Sequence, residues 1–185
     1  MKDLFLVFTN LIKTLEENNV EYMLVGSLAS MVYGEPRMTK DFDLVIEIEP
    51  KNLKKFYNLF DFKEYYVPPY EVLSQELINY GSFNLIHHES GYKIDFMFRK
   101  NNPHSIQEFN RKTKLNIIEG EKAYVASPED IIIKKLLFFK EGLSQKHLDD
   151  IKGILANTEL DYEYLNKWLD SLSLVELWKS YFSNL

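Results

Sequence analysis

Residues 22–48 read YMLVGSLASMVYGEPRMTKDFDLVIEI. A short apolar run, 22–25, ends in Gly26-Ser27, and a small-residue helical segment, 28–33, follows. Gly34-Glu35-Pro36-Arg37 makes a turn, and Asp41-Phe42-Asp43 then heads a second apolar run, 44–48. That order predicts strand, turn, helix, turn and strand. Asp41 and Asp43, at i and i+2 of a strand, point to one face with Cα atoms about 6.5–7 Å apart, while Phe42 points the other way, into the core. Two like charges held that close repel unless something positive sits between them. A divalent metal is the simplest neutraliser, and carboxylate oxygens are what Mg²⁺ prefers. A strand that ends in Gly-Ser and turns directly into a helix places free backbone N–H groups beside a hydroxyl, a setting that attracts phosphate. Phosphate cradle and acidic pair in one segment point to a nucleotide bound through Mg²⁺. The same residues also suit an ordinary strand–helix–strand unit with a glycine turn and a solvated acidic strand start.

Outward from this stretch, the chain has 185 residues, enough for one domain or one domain with a helical appendage. The apolar share of 45% and charged share of 27% are those of a soluble globular protein. No apolar run approaches the length of a membrane span. The opening Met1-Lys2-Asp3 leads into an amphipathic helix rather than a signal peptide, so the expected location is cytoplasmic. With 0 Cys, disulfides and cysteine-based metal or redox chemistry are excluded. The net charge of −6 argues against broad non-specific binding of nucleic acid.

Apolar residues recur at helical spacing over 3–18. A helix over 52–60 is begun by Pro50. Residues 61–82 are the least regular part, with Pro68-Pro69 as a break and a short helix expected over 70–77. Residues 83–88 and 92–98 form a hairpin joined at Glu89-Ser90-Gly91. Asp95, between Ile94 and Phe96 in the second of these strands, needs a partner if the strand is internal; on an edge strand it is simply the polar face. His87 and His88 face opposite ways on a strand and read as surface residues rather than a shared metal site. A short helix lies within 101–111, and a second hairpin, 114–118 with 123–125, turns at Glu119-Gly120-Glu121. Ser127-Pro128-Glu129-Asp130 is a helix start, with Ser as cap, Pro at the first position and acids in the first turn. That helix stops at Gly142, Ser144 caps the next, and a last helical region runs over 162–183. The chain is strand-rich before about residue 126 and helical after it.

Gly26-Ser27, the spacer with Arg37 and Thr39, and Asp41-Phe42-Asp43 resemble the signature of the DNA polymerase beta superfamily of nucleotidyltransferases, above all its small bacterial and archaeal members, including AbiEii-type toxins of toxin–antitoxin systems. The resemblance implies an α+β fold, a mixed sheet flanked by helices with a C-terminal helical region. It divides the chain into a core, 1–126, and helices packed on it, 127–185. It also implies a third carboxylate beside the Asp-x-Asp strand, which Asp95 fits. A second resemblance covers Ser127-Pro128-Glu129-Asp130, Lys135, Lys140-Glu141-Gly142 and Asp150-Ile151; it implies a helix lysine and a later aspartate facing the active site. These fall at Lys135 and Asp150, with Lys134 and Asp149 as adjacent alternatives.

On that reading Asp41, Asp43 and Asp95 are catalytic and hold two Mg²⁺ or Mn²⁺ ions. Gly26, Ser27, Arg37, Lys135 and Asp150 form the nucleotide and phosphate site, and Arg37 alternatively is a surface turn residue. The activity expected is transfer of NMP from an NTP to a hydroxyl on RNA or tRNA, a protein or a small molecule, in a chain that is one member of a toxin–antitoxin pair with a cognate protein partner. Two other classes share these residues: a catalytically inactive nucleotide-binding or antitoxin protein, and a metal-dependent phosphodiesterase or nuclease.

Overall fold

The computed structural model describes residues 2–118 and 120–182. Met1 of the expected opening, Glu119 of the expected second turn and Ser183 at the expected end of the last helix lie outside the described residues. In chain order the elements are α1 (Lys2–Glu17), β1 (Glu21–Val25), α2 (Gly26–Tyr33), β2 (Asp41–Glu47), a 3₁₀ turn (Pro50–Asn52), α3 (Leu53–Tyr57), β3 (Tyr65–Tyr66), α4 (Tyr70–Asn79), β4 (Ser82–His87), β5 (Lys93–Phe98), α5 (Pro103–Asn110), β6 (Thr113–Ile118), β7 (Glu121–Val125), α6 (Pro128–Gly142), α7 (Gln145–Asn157), α8 (Tyr162–Ser171) and α9 (Val175–Phe182).

The seven strands form one mixed sheet in the order β3-β4-β5-β2-β1-β7-β6. β1 and β2 are antiparallel, with Val25 opposite Asp43. β2 and β5 are parallel, with Asp43 opposite Asp95. This is the α+β architecture expected, with the third acidic strand beside the Asp-x-Asp strand. The period-two pattern of β2 sets its face: Phe42, Leu44 and Ile46 are fully buried, while Asp41, Asp43 and Val45 look the other way. A slip of one residue would drive both carboxylates into the core, so the register is strongly specified. α1 closes the buried face, its Phe8 ring 5.3 Å from that of Phe42. Strand-rich and helical parts share one hydrophobic cluster, which takes in Phe8, Leu44, Ile132, Ile151 and Leu165 alike.

α2 starts directly at Gly26, without the two-residue turn expected before residue 28. Tyr33 at its end donates to the Ala126 carbonyl, and Thr158 after α7 donates to the Tyr33 carbonyl. These bonds tie α2 to the end of β7 on one side and to α7 on the other.

Several local expectations are corrected. The 52–60 helix is a 3₁₀ turn followed by the five residues of α3. Residues 61–82 contain an extra short strand, β3, on the outer edge of the sheet. α6 runs through Gly142, and Leu143, at φ 51°, takes the left-handed position that Gly142 was expected to supply. The 162–183 region is two helices, broken where Ser173 also turns left-handed at φ 55°. Ser127 caps α6 as expected, accepting from the Asp130 N–H, and the first-turn acids Glu129 and Asp130 are buried.

Candidate active site

The face of β2 and β5 turned away from Phe42 presents three rows of side chains: Asp41 opposite Lys93, Asp43 opposite Asp95, and Val45 opposite Met97. Thus one row pairs opposite charges, one pairs like charges and one is apolar. Strand alternation on each side brings all three expected carboxylates to one face. Asp43 sits deepest. Gly26, at φ +65°, abuts it so closely that a Cβ on Gly26 would lie 2.0 Å from Asp43 Oδ2. Glycine there serves both the left-handed backbone and the close approach. Burial, then the Asp95 charge, pushes the Asp43 carboxyl above its ordinary value, against the backbone bond from Ser27. Asp95 is ion-paired to Lys93, Nζ to Oδ1 2.8 Å. Among the described residues no three His, Asp or Glu side chains are gathered closely enough to hold an ion as they stand; the acids share a face without sharing a focus.

A second cluster lies behind the start of α2. Arg37 donates from Nε to Asp150 Oδ1 at 2.9 Å and from Nη2 to Asp150 Oδ2 at 3.1 Å. Arg37 Nη2 also donates to Ser27 Oγ. Lys135 Nζ donates to Asp150 Oδ2 at 2.6 Å. One carboxylate on α7 therefore grips two cations, one from the turn after α2 and one from α6. Burial works to raise the Asp150 carboxyl, but the bonds from Arg37 and Lys135 outweigh it and hold the group below the ordinary carboxylate value. Burial lowers Lys135, with the Asp150 bond opposing. Of the alternatives, Asp149 is exposed and bonded by Gln145, and Lys134 pairs with Glu108 at 3.2 Å.

A cleft of about 560 Å³ opens beside these groups, and Asp95 and Lys93 are not among the residues that line it. Gly26, Ser27, Asp41, Asp43 and Lys135 line it directly, whereas Arg37 and Asp150 reach it through Ser27 and Lys135. Val45, Met97, Phe98 and Phe138 give it an apolar wall. Sequence reasoning missed two contributors. Glu108, on α5, lines the same cleft as Lys134, the alternative to Lys135 weighed from the sequence, and burial raises the Glu108 carboxyl; no motif marked Glu108. Lys93 was equally missed, although its place two residues before Asp95 on a strand is a legible sign that the pair share a face.

This mixed sheet with its flanking helices is a nucleotidyltransferase fold. The chain belongs to the family described as "Nucleotidyltransferase of unknown function (DUF6036)", whose model matches residues 2–181. Two solved structures share the fold. An antigenic nucleotidyltransferase-like protein from Paracoccidioides brasiliensis is 22% identical with a TM-score of 0.56, over 97% of this chain and 91% of that one. The structure of ANT(2")-Ia in complex with adenylyl-2"-tobramycin is 15% identical with a TM-score of 0.65, over 92% of this chain and 97% of that one. Comparison with curated protein sequences returned no match. Among the described residues no helix is long and apolar enough to cross a membrane.

Proposed function

We propose that the chain transfers NMP from an NTP to a hydroxyl acceptor, using a divalent metal. One observation carries this reading: Asp43 and Asp95 are register neighbours on parallel strands, and Asp43 is pressed against the Gly26 turn that opens α2. Two carboxylates side by side, one with its proton affinity raised by burial and then by the other's charge, make a donor set that suits a hard divalent cation. Asp41, Asp43 and Asp95 would hold the Mg²⁺ or Mn²⁺ ions, which when bound offset phosphate charge and align the attacking and leaving oxygens.

The chain's own groups do the rest. Ser27 and the N–H groups after Gly26 hold the β- and γ-phosphates. Lys135 and Arg37 offset charge on the departing pyrophosphate. Asp150 acts through them, as a positioning residue: an acid facing phosphate directly would repel it, whereas an acid gripping two cations fixes where they point. In the chemical step the acceptor oxygen bonds to the α-phosphorus, the bond from that phosphorus to the bridging oxygen of the β-phosphate breaks, pyrophosphate leaves, and the hydroxyl proton passes to Asp95. Residues 1–126 thus supply the acids and the phosphate turn, and the helical region 127–185 supplies Lys135 and Asp150.

A small-molecule acceptor is the form of this reading the chain supports best. The net charge of −6 opposes a polyanion such as tRNA, and a protein of the same fold is described in complex with adenylyl-2"-tobramycin. A toxin–antitoxin role belongs to this reading through the resemblance to AbiEii-type proteins, and co-purification of a protein partner from the native cell is its check. The transfer itself is tested by incubating the protein with each α-labelled NTP, Mg²⁺ and cell extract. We expect label on an acceptor together with free pyrophosphate. Binding of Mg–NTP with no pyrophosphate release would mark a nucleotide-binding protein instead, and release of NMP without transfer would mark a phosphodiesterase.

A further inference from the structure

Asp95 does not face the other acids with its charge free. Lys93 Nζ stands 2.8 Å from its Oδ1, from two residues earlier on β5 and therefore on the same face. In the register Lys93 is opposite Asp41 and Asp95 is opposite Asp43, so the ammonium occupies one corner of a quartet whose other three corners are carboxylates. The lysine side chain is 43% exposed and the aspartate 26%, so the pair is open to water and to exchange. The same pair draws Asp95 toward Lys93, and the three acids do not gather at one point.

We propose that Lys93 is a built-in counter-ion that occupies Asp95 in the metal-free protein and is displaced when the divalent ion enters. The inference rests on the nucleotidyl-transfer reading, since it takes Asp95 as a ligand. A divalent ion carries twice the charge of the ammonium and prefers carboxylate oxygens, so it can win the exchange, but only by the difference between the two attractions. The bare ion is therefore held weakly. An ion arriving with an NTP brings phosphate oxygens as additional ligands, and the site fills with the ion–nucleotide complex rather than with the ion alone. Lysine suits this use better than arginine: it is a single point charge on a flexible stem, while arginine would grip Asp95 with two parallel bonds.

The test is titration of Mn²⁺ alone into the full chain, with the free aquo ion followed by electron paramagnetic resonance, and with circular dichroism confirming that each variant folds. Lys93→Met and Lys93→Gln should bind Mn²⁺ roughly tenfold more tightly than wild type, from loss of one positive charge at contact distance. Lys93→Arg should bind at or below the wild-type level. Lys100→Met removes a positive charge from the cleft that Asp41 and Asp43 line without touching an acid's partner, and should stay within about twofold of wild type. Binding seen only in Lys93→Met and Lys93→Gln also supports the proposal. Unchanged affinity in Lys93→Met and Lys93→Gln, or an equal gain in Lys100→Met, overturns it and leaves the metal reading of the acids intact. Absence of Mn²⁺ binding in all five proteins overturns that reading, and this inference with it.

Discussion

At the scale of single residues, the site hangs on a glycine and an aspartate that carry no charge chemistry of their own toward substrate. Gly26 has positive φ and no room for a Cβ beside Asp43. Gly26→Ala should cost about 1–2 kcal/mol from the left-handed backbone alone. It should also displace Asp43, so that Mg–NTP binding measured by calorimetry falls by more than tenfold. A Gly26→Ala protein that melts and binds like wild type would show that the close approach is not needed. Asp150 makes a different prediction, in pH. Its carboxyl is held low by Arg37 and Lys135, so the stability it contributes is present above the unfolded value of about 3.9 and is lost as pH falls through the lower folded value. Asp150→Asn should therefore be less stable at pH 7, by about 1–3 kcal/mol, because two cations lose their common partner. Urea melts should show the gap between the two proteins closing as pH drops below 4. A gap that widens on acidification would contradict the assignment.

At the scale of elements, the placement of α7 is what brings the helical region to the site. α7 lies across the end of α2 at two glycines: a Cβ on Gly34 would meet the Gly153 carbonyl carbon at 2.9 Å, and one on Gly153 would meet the Glu35 nitrogen at 3.2 Å. Gly153 is one turn beyond Asp150 on the same helix. Gly153→Val should push α7 away from α2, cost about 1–3 kcal/mol by overpacking, and loosen the Arg37–Asp150 bond, with NTP binding weakening in step. If stability falls and nucleotide binding does not, α7 has a structural role only. The two parts of this scaffold differ in how plainly the sequence announces them. β1, α2 and β2 are legible because apolar runs, a Gly-Ser turn and an alternating strand agree with one another. The packing of α7 is not, because a glycine inside a helix signals weakness locally and close approach only when its neighbour is known. Leu143 and Ser173 also turn left-handed, on residue types that do not favour that region, so the sequence did not mark these breaks.

At the scale of the whole molecule, the sheet order gathers charges that lie far apart in sequence. Asp41 and Asp43 could be read as a pair from their spacing alone; the apolar neighbours of Asp95 said only that it needs a partner, and the resemblance alone implied a third acid there. The parallel register that sets Asp43 beside Asp95 is a long-range pairing, which no local pattern encodes. The buried charges of the helical part were hidden for the same reason. Glu129 and Asp130 read in sequence only as first-turn acids, whereas Arg111 from the end of α5 reaches Glu129 at 2.9 Å and stacks over Tyr164 of α8, and both acids are buried. The central claim is that Asp41, Asp43 and Asp95 with the Gly26-Ser27 turn make one Mg–NTP site. It is tested most directly by thermal melts of wild type, Asp43→Asn and Asp95→Asn, each with and without Mg²⁺ and saturating NTP. Without ligand Asp43→Asn should melt at or above the wild-type temperature, because removing one acid relieves repulsion at a partly buried face, and Asp95→Asn should melt close to it, because losing the solvent-open Lys93 pair offsets part of that relief. With Mg–NTP the wild type should rise by on the order of 5 °C and the variants by much less. Variants that are destabilised without ligand, together with a wild type that no Mg–NTP shifts, would show that these acids hold the strands rather than a nucleotide, and would contradict the account.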